Sequence, residues 1–146
     1  YTIKFSCKAQ DKDFVVPPLE GLWWAEDPAS FVTRRKSDWR WTAMLMMPEF
    51  VTETNFNNAV AKVRLKQGSP PKSLRFEILQ EGRALQGLHI GSYDDEAPLL
   101  AKLHAEIMPE LRVTFAGAHH EIYLSDRRKT SPDKLKTLLR QPVRSI

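Results

Sequence analysis

AHHEIYLSD, residues 118–126, has the composition of a β-strand that ends in a turn. Its apolar residues favour a pleated backbone, and the Ser-Asp pair after them begins a turn. Successive side chains of a strand point to opposite faces. The sequence therefore predicts two different faces, with His119, Glu121 and Tyr123 on one and His120, Ile122 and Leu124 on the other.

Glu121 is the first candidate for a functional residue. Burying an ionised carboxylate without a partner is costly, so such a group pairs, takes up a proton or faces a cavity. The alternative is a strand at the edge of the sheet with Glu121 in water, and spacing alone favours this alternative. His120, on the opposite face, is interpreted as a structural hydrogen-bonding residue.

Length and composition limit the class of protein. At 146 residues the chain predicts one domain that is large enough for a core. No apolar run approaches the roughly 20 residues of a membrane span, so we expect no membrane partner. A single cysteine excludes an internal disulfide framework and fits a reducing cytoplasm. The oligomeric state is left open.

The charge distribution argues against sequence-specific binding to nucleic acid. The net charge is +4, but residues 127–146 hold seven Lys/Arg and one acidic residue, which leaves 15 basic and 17 acidic residues elsewhere. A nucleic-acid-binding face normally needs a basic stripe on the folded body. We therefore interpret the basic segment as the solvated face of a C-terminal helix.

Periodicity and turn residues predict an α+β fold with an antiparallel sheet and helices on one side. Helices are predicted at Glu53–Lys66 after an N-cap at Thr52, from Pro98 to Pro109, and after Ser131, where Leu135, Leu138 and Leu139 would dock a short helix. Strands are predicted at Phe14–Trp24, Trp39–Met47, Ser73–Gln80, Ala84–Ile90 and 119–126. Pro17 and Pro18 place the first strand at an edge or beside a bulge. The second, apolar on both faces, is predicted to be central.

The aromatic residues and methionines allow two interpretations. Four Trp and four Met are many for this length, and they make either a core or an adaptable hydrophobic pocket. Composition alone favours a core. A pocket for flat aromatic compounds is the more specific hypothesis.

A metal site is not expected. His119 and Glu121 share a face and His89 could join them, but the spacing is not that of a His-Glu-x-x-His helix. No further ligand is placed by spacing.

Several segments resemble one known family. PLEGLWW (18–24), WTAMLMMPEFVTE (41–53), HIGSYDDE (89–96) and HHEIYLSDRRKTSPDKLKTLLRQPV (119–143) resemble the GyrI-like small-molecule-binding family, and more narrowly its stand-alone members without a DNA-binding domain. The last segment is long and specific. HIGSY is a looser match, with Ser92 where proline is usual.

The resemblance implies the fold shared with bacterial transcription-activator effector-binding domains. Two strand–helix–strand–strand modules would face each other across a hydrophobic cavity. Residues 1–146 would form a single such domain whose first module is incomplete. Its first strand and most of its first helix would be missing, and Tyr1–Phe5 would be the end of that helix.

The resemblance also implies a site. In the family a carboxylate on the last strand faces an aromatic-lined cavity; here it is Glu121, with Tyr123 beside it as the second catalytic candidate. The ligand-binding residues implied are Trp23 or Trp24, Trp41, Met44 or Met46, Tyr93, His89 and His119. No cofactor is implied. The expected partner is a hydrophobic aromatic or cationic small molecule.

Three functions follow as hypotheses. Some stand-alone members hydrolyse the strained cyclopropane ring of cyclopropanoid genotoxins, and Glu121 would then activate a water as general base. Alternatively, the domain binds, sequesters or senses drugs without catalysis, with Glu121 as counter-ion and the aromatic rings as cation–π partners. A third hypothesis, an interaction protein acting through its surface, rests only on the basic C-terminal helix.

Overall fold

A computed structural model describes residues 1–27, 29–33 and 35–146, without the side chain of Val32. The chain divides into two compact units, one of Tyr1–Pro17 with Met46–Leu79 and the other of Pro18–Leu45 with Gln80–Ile146. The helices are α1 Thr2–Lys8, α2 Ala29–Val32, α3 Glu53–Gln67, α4 Ala97–Ala101 and α5 Met108–Glu110. The strands are β1 Leu19–Trp24, β2 Arg40–Met44, β3 Ala84–Ile90, β4 Val113–Phe115, β5 His119–Tyr123 and β6 Lys136–Ser145.

The first unit contains α1 and α3, which pack against each other. The Thr52 hydroxyl accepts a hydrogen bond from the Asn55 N–H and the Asn55 side chain accepts one from the Thr52 N–H, so two free donors at the start of α3 are satisfied. Gly68 ends α3 with a φ of 88°, a backbone angle that glycine adopts without strain. The predicted helix and its N-cap are confirmed.

The second unit is built on an antiparallel sheet with the strand order β2-β1-β5-β6-β3, and β4 pairs with the far end of β6. The α+β class and the antiparallel sheet are therefore confirmed. The strand predicted around Glu121 is confirmed as β5. It lies between β1 and β6, so the interpretation of Glu121 as an edge-strand residue is wrong.

The C-terminal helix predicted after Ser131 is wrong. Pro132–Lys134 forms a single 3₁₀ turn, and the chain then runs into β6, which pairs with β3, β4 and β5. The leucines at 135, 138 and 139 satisfy helical spacing, but alternate residues of β6, including Thr137, Leu139 and Gln141, are the buried ones. Strand pairing on both sides outweighs local helical spacing here. The basic residues of this segment therefore lie on a strand and a turn, not on a helix.

Three strand predictions also need correction. Residues 73–80 form no strand, and their alternating apolar side chains are mostly exposed. β1 begins only at Leu19, after the two prolines, and lies inside the sheet. β2 forms the edge and not the centre, because apolar residues on both faces do not determine which strand finds a second partner. β1 and β2 pair with each other in antiparallel register.

The helix predicted from Pro98 to Pro109 runs slightly further. α4 continues through a π-helical turn at Lys102–Ile107 into α5, which ends at Glu110. Pro109 is tolerated because it lies in the first turn of α5, where its missing N–H costs little. Leu100 and Leu103 are buried. Leu99 contacts the sheet at Gly87, where a residue with a side chain would meet the methyl groups of Leu99.

Candidate functional site

Strand register places Glu121 in the middle of one face of the sheet. Gly21 of β1 and Leu139 of β6 lie on either side of Glu121. Gly87 of β3 pairs with Leu139 from the other side. Directly paired residues share a face. The same face therefore carries Trp23 opposite His119 in one neighbouring row, and Tyr123, Thr137 and His89 in the other.

A chain of hydrogen bonds fixes the Glu121 carboxylate. The Tyr123 hydroxyl donates to Glu121 Oε2 at 2.7 Å and accepts from the Trp23 indole N–H at 2.9 Å. The Glu121 side chain is 13% exposed. Its orientation is thus set by two residues from β1 and β5, and it keeps a limited opening to the exterior.

Tyr123 acts here as a hydrogen-bond donor. Burial raises the pKa of the Tyr123 hydroxyl well above its usual value, and the negative charge and hydrogen bond of Glu121 raise it further. The phenol therefore stays protonated at neutral pH. The ring of Tyr93 lies edge-on to that of Tyr123, with centroids 5.7 Å apart, and burial also raises the pKa of Tyr93.

His119 lies next to the second carboxylate oxygen. Its Nε2 is 3.4 Å from Glu121 Oε1, and its ring contacts Phe31 with centroids 5.9 Å apart. The His119 side chain is only 3% exposed. Among the described residues neither of its ring nitrogens has a hydrogen-bond partner, and the same is true of the Thr137 hydroxyl.

Aromatic rings continue outward from this carboxylate. Trp23 contacts Trp39 edge-on at 5.9 Å and Trp41 at 6.2 Å between ring centroids, and Trp39 packs against Phe31 at 5.3 Å. Trp41 is 63% exposed and lies on the edge strand. The arrangement offers flat apolar surfaces beside one anchored carboxylate.

The structure brings together some of the predicted site residues and separates others. Trp23, Trp41, Tyr93, His119, Glu121 and Tyr123 belong to the group just described. His89 is on the same face, but its Nε2 is 2.8 Å from the Ser92 carbonyl oxygen, which holds the turn after β3. Three predicted residues lie elsewhere. Trp24 and Met44 point to the opposite face by register, and Met46 is exposed in the other unit.

Glu96 is a residue near the site that the sequence did not single out. Its side chain is buried, and its charge contributes to raising the pKa of both Tyr93 and Tyr123. Glu96 is therefore a second carboxylate close to the two tyrosines. The signal available in the sequence was its place at the end of HIGSYDDE, one of the segments that resemble the family.

The opposite face holds a second polar group, and the sequence predicted its central residue, His120, but not the partners of His120. His120 is fully buried, and its ring nitrogens lie 2.7 Å from Glu20 Oε2 and 2.8 Å from Glu81 Oε1. Arg140 donates to Glu81 Oε2 at 2.9 Å. These four residues, here called the outer network, come from β1, β5, β6 and the segment before β3. The network connects β1, β5 and β6 on the face of the sheet opposite Glu121. The prediction of a hydrogen-bonded His120 is confirmed.

Within residues 1–27, 29–33 and 35–146, no group of three or more His, Cys, Asp or Glu side chains is arranged to hold a metal ion. In the same part of the chain, no helix combines the length and the apolar character needed to cross a bilayer.

Comparisons with known proteins agree with this architecture. A crystal structure of an uncharacterized conserved protein from Listeria innocua superimposes with a TM-score of 0.81 at 39% sequence identity, covering 99% of this chain and 74% of that one. A hydrolase from Listeria innocua matches with a TM-score of 0.76 at 36% identity, covering 99% of this chain and 73% of that one. No protein with a curated function matches this sequence.

The family model for the GyrI-like small molecule binding domain matches residues 4–144, which is nearly the whole chain. This confirms the resemblance inferred from the four sequence segments. The matched range includes both β5 and β1, which carry the anchored carboxylate and its hydrogen-bonding partners. The chain belongs to the family of GyrI-like small molecule binding domains.

Proposed function

We propose that this domain binds flat aromatic small molecules on the Glu121 face of its sheet. The observation that carries the proposal is the carboxylate of Glu121, which is 13% exposed, oriented by Tyr123 and Trp23 and flanked by aromatic rings. Stacking on Trp and Tyr rings would supply most of the affinity. The carboxylate would supply selectivity, as acceptor for a donor group or as counter-ion for a cation.

We propose hydrolysis of a cyclopropanoid genotoxin as the chemistry of this site. Glu121 would take a proton from a water molecule while the water oxygen bonds to a strained ring carbon. The broken C–C bond leaves its electron pair on the conjugated acceptor of the substrate, which is then protonated. General-base help of ~10²–10⁴-fold suits a ring already primed by strain. The 36% identity to a hydrolase from Listeria innocua supports this direction.

A non-catalytic drug-binding, sequestering or sensing role is the alternative. It is favoured by the commitment of Glu121 Oε2 to Tyr123, because a carboxylate held by a donor is a good fixed counter-ion. In this case Glu121 would contribute affinity for cations and no turnover. Both roles use the same face and the same residues, so they differ only in what Glu121 does.

Glu121→Gln distinguishes the two roles, because it keeps the shape and removes charge and basicity. If Glu121 is a general base, the variant should bind a neutral flat dye with unchanged affinity and should hydrolyse a cyclopropanoid ~10²–10⁴-fold more slowly. A counter-ion predicts a loss of ~1–3 kcal/mol for cationic dyes only, and no turnover in either protein. The measurements are dye titrations and product analysis for both proteins. Unchanged binding and turnover would contradict the proposal.

Two matched controls sharpen this test. Glu106→Gln removes one negative charge at an exposed position and should leave all titrations unchanged. Trp23→Phe and Trp24→Phe change neighbouring residues of the same type on opposite faces of β1. Only Trp23→Phe should weaken dye binding. An equal effect of both substitutions would mean that the ligand does not lie on the Glu121 face.

A further inference from the structure

The two oxygens of Glu121 have different surroundings. Oε2 accepts the Tyr123 hydrogen bond at 2.7 Å, whereas Oε1 lies 3.4 Å from His119 Nε2. The 3.4 Å contact with Oε1 does not count as a hydrogen bond. Within the described part of the chain, neither ring nitrogen of His119 has a hydrogen-bond partner. Glu121 Oε1 and His119 Nε2 are thus two neighbouring polar atoms at this end of the carboxylate.

The burial of His119 makes this arrangement informative. A polar side chain that is 3% exposed and lacks a hydrogen bond is destabilising, and such groups are few in native proteins. The ring is packed against Phe31, so it cannot turn freely toward water. A bound molecule that hydrogen-bonds His119 would remove this penalty.

The chemistry of the pair defines the molecule that would fit. An ionised carboxylate only accepts hydrogen bonds, and a neutral imidazole donates from one nitrogen. With the proton on Nε2, the site presents an acceptor, Glu121 Oε1, beside a donor, His119 Nε2–H. A complementary ligand carries a hydrogen-bond donor next to a hydrogen-bond acceptor on one edge.

We propose that Glu121 and His119 form a two-point anchor for a planar aromatic ligand whose edge carries an N–H group next to a carbonyl, as in a lactam. This inference rests on the proposed function and names its ligand class. The ligand N–H donates to Glu121 Oε1, and His119 Nε2–H donates to the ligand carbonyl. An aromatic cation without N–H groups satisfies the charge of Glu121 and leaves His119 without a partner, so His119 selects lactams against such cations.

Three tricyclic probes of nearly equal size test this assignment: phenanthridinone, its N-methyl derivative, and the N-methylphenanthridinium cation. Phenanthridinone has the N–H beside the carbonyl, the N-methyl derivative lacks the donor, and the cation lacks both donor and carbonyl. The wild-type protein should bind phenanthridinone about tenfold or more tightly than its N-methyl derivative, as expected for one or two hydrogen bonds in a buried site. Calorimetric or fluorescence titration measures the three affinities.

Substitution of His119 tests the second point of the anchor. His119→Phe keeps a ring against Phe31 and should weaken phenanthridinone binding by about tenfold, because the ligand carbonyl loses its donor. The affinity of the N-methylphenanthridinium cation, which has no carbonyl, should stay unchanged. His119→Gln restores a side-chain donor and should restore part of the affinity for phenanthridinone. Thermal unfolding of each variant verifies that it is folded before titration.

The outcomes separate this inference from the proposed function. If the N-methyl derivative and phenanthridinone bind equally well to the wild type, the aromatic site stands and the two-point anchor is wrong. The same conclusion follows if folded His119→Phe binds phenanthridinone as tightly as the wild type, which would show that His119 does not bind the ligand carbonyl. If none of the three probes binds, both the proposed function and this inference are overturned.

Discussion

Gly21 lies directly opposite Glu121 across the pair of strands β1 and β5, and its missing side chain leaves room for the hydrogen bonds that hold Glu121. A Cβ atom at Gly21 would be 2.9 Å from the Trp23 indole nitrogen and 3.1 Å from the Tyr123 hydroxyl. Because position 21 is a glycine, Trp23, Tyr123 and Glu121 have room for their hydrogen bonds.

Gly21→Ala should disturb this connection. The first of its two contacts is shorter than a real Cβ atom tolerates, so Trp23 or Tyr123 must move, and we expect ~1–3 kcal/mol of lost stability. Weaker binding of flat dyes should accompany it. Gly117→Ala is the matched control, because its Cβ would meet Pro142 at an ordinary 3.5 Å. Denaturant unfolding of both variants checks the prediction, and equal stabilities would contradict it.

Tyr123→Phe should loosen Glu121 while keeping the ring that meets Tyr93. The change removes the donor to Glu121 Oε2 and the acceptor of the Trp23 N–H, and we expect a loss of ~1–3 kcal/mol in stability. Trp23→Phe spares the bond between Tyr123 and Glu121 and should affect any turnover less. Urea unfolding and cyclopropanoid product analysis are the measurements. Wild-type behaviour of Tyr123→Phe would show that Glu121 needs no orienting hydroxyl.

His120→Phe should be among the most destabilising substitutions on the opposite face. It leaves the Glu20 and Glu81 carboxylates without the imidazole that lies between them, and removing one member of a buried charged group costs ~3–5 kcal/mol. Asp94→Asn breaks the exposed ion pair with Lys36 and should cost ~0–1 kcal/mol. Chemical denaturation compares the two. A mild effect of His120→Phe would mean that the outer network is dispensable.

The lowered pKa of His104 should make the stability of the protein depend on pH. Burial lowers the pKa of His104 from 6.5 to about 4, and the nearby His119 contributes to the shift. Because the folded state disfavours the charged form, stability is highest above the unfolded pKa of 6.5 and falls as the pH decreases toward about 4. His104→Leu should show a smaller fall between pH 7 and pH 4.5 than the wild type, measured by urea midpoints. Parallel curves would contradict this assignment.

Much of the candidate site could be predicted from β5 alone. Alternation along His119–Tyr123 separates Glu121 from His120, and both groups occupy the predicted faces. The choice between Trp23 and Trp24 could not be predicted, because it depends on the register between β1 and β5. The register between β1 and β2 assigns Met44 to the face opposite Glu121. Glu20 and Glu81 could not be connected with His120, since they lie 100 and 39 residues away in sequence.

The sequence by itself determined the α+β class, the helix α3 with its cap, the strand around Glu121 and the family resemblance. These follow from local periodicity, capping chemistry and residue order, which a chain carries without reference to distant partners. Only the tertiary structure decided that Leu138 and Leu139 belong to β6 and that β2 is an edge strand. A strand needs hydrogen bonds from neighbours far along the chain, so its identity and position depend on which partners the folded sheet provides.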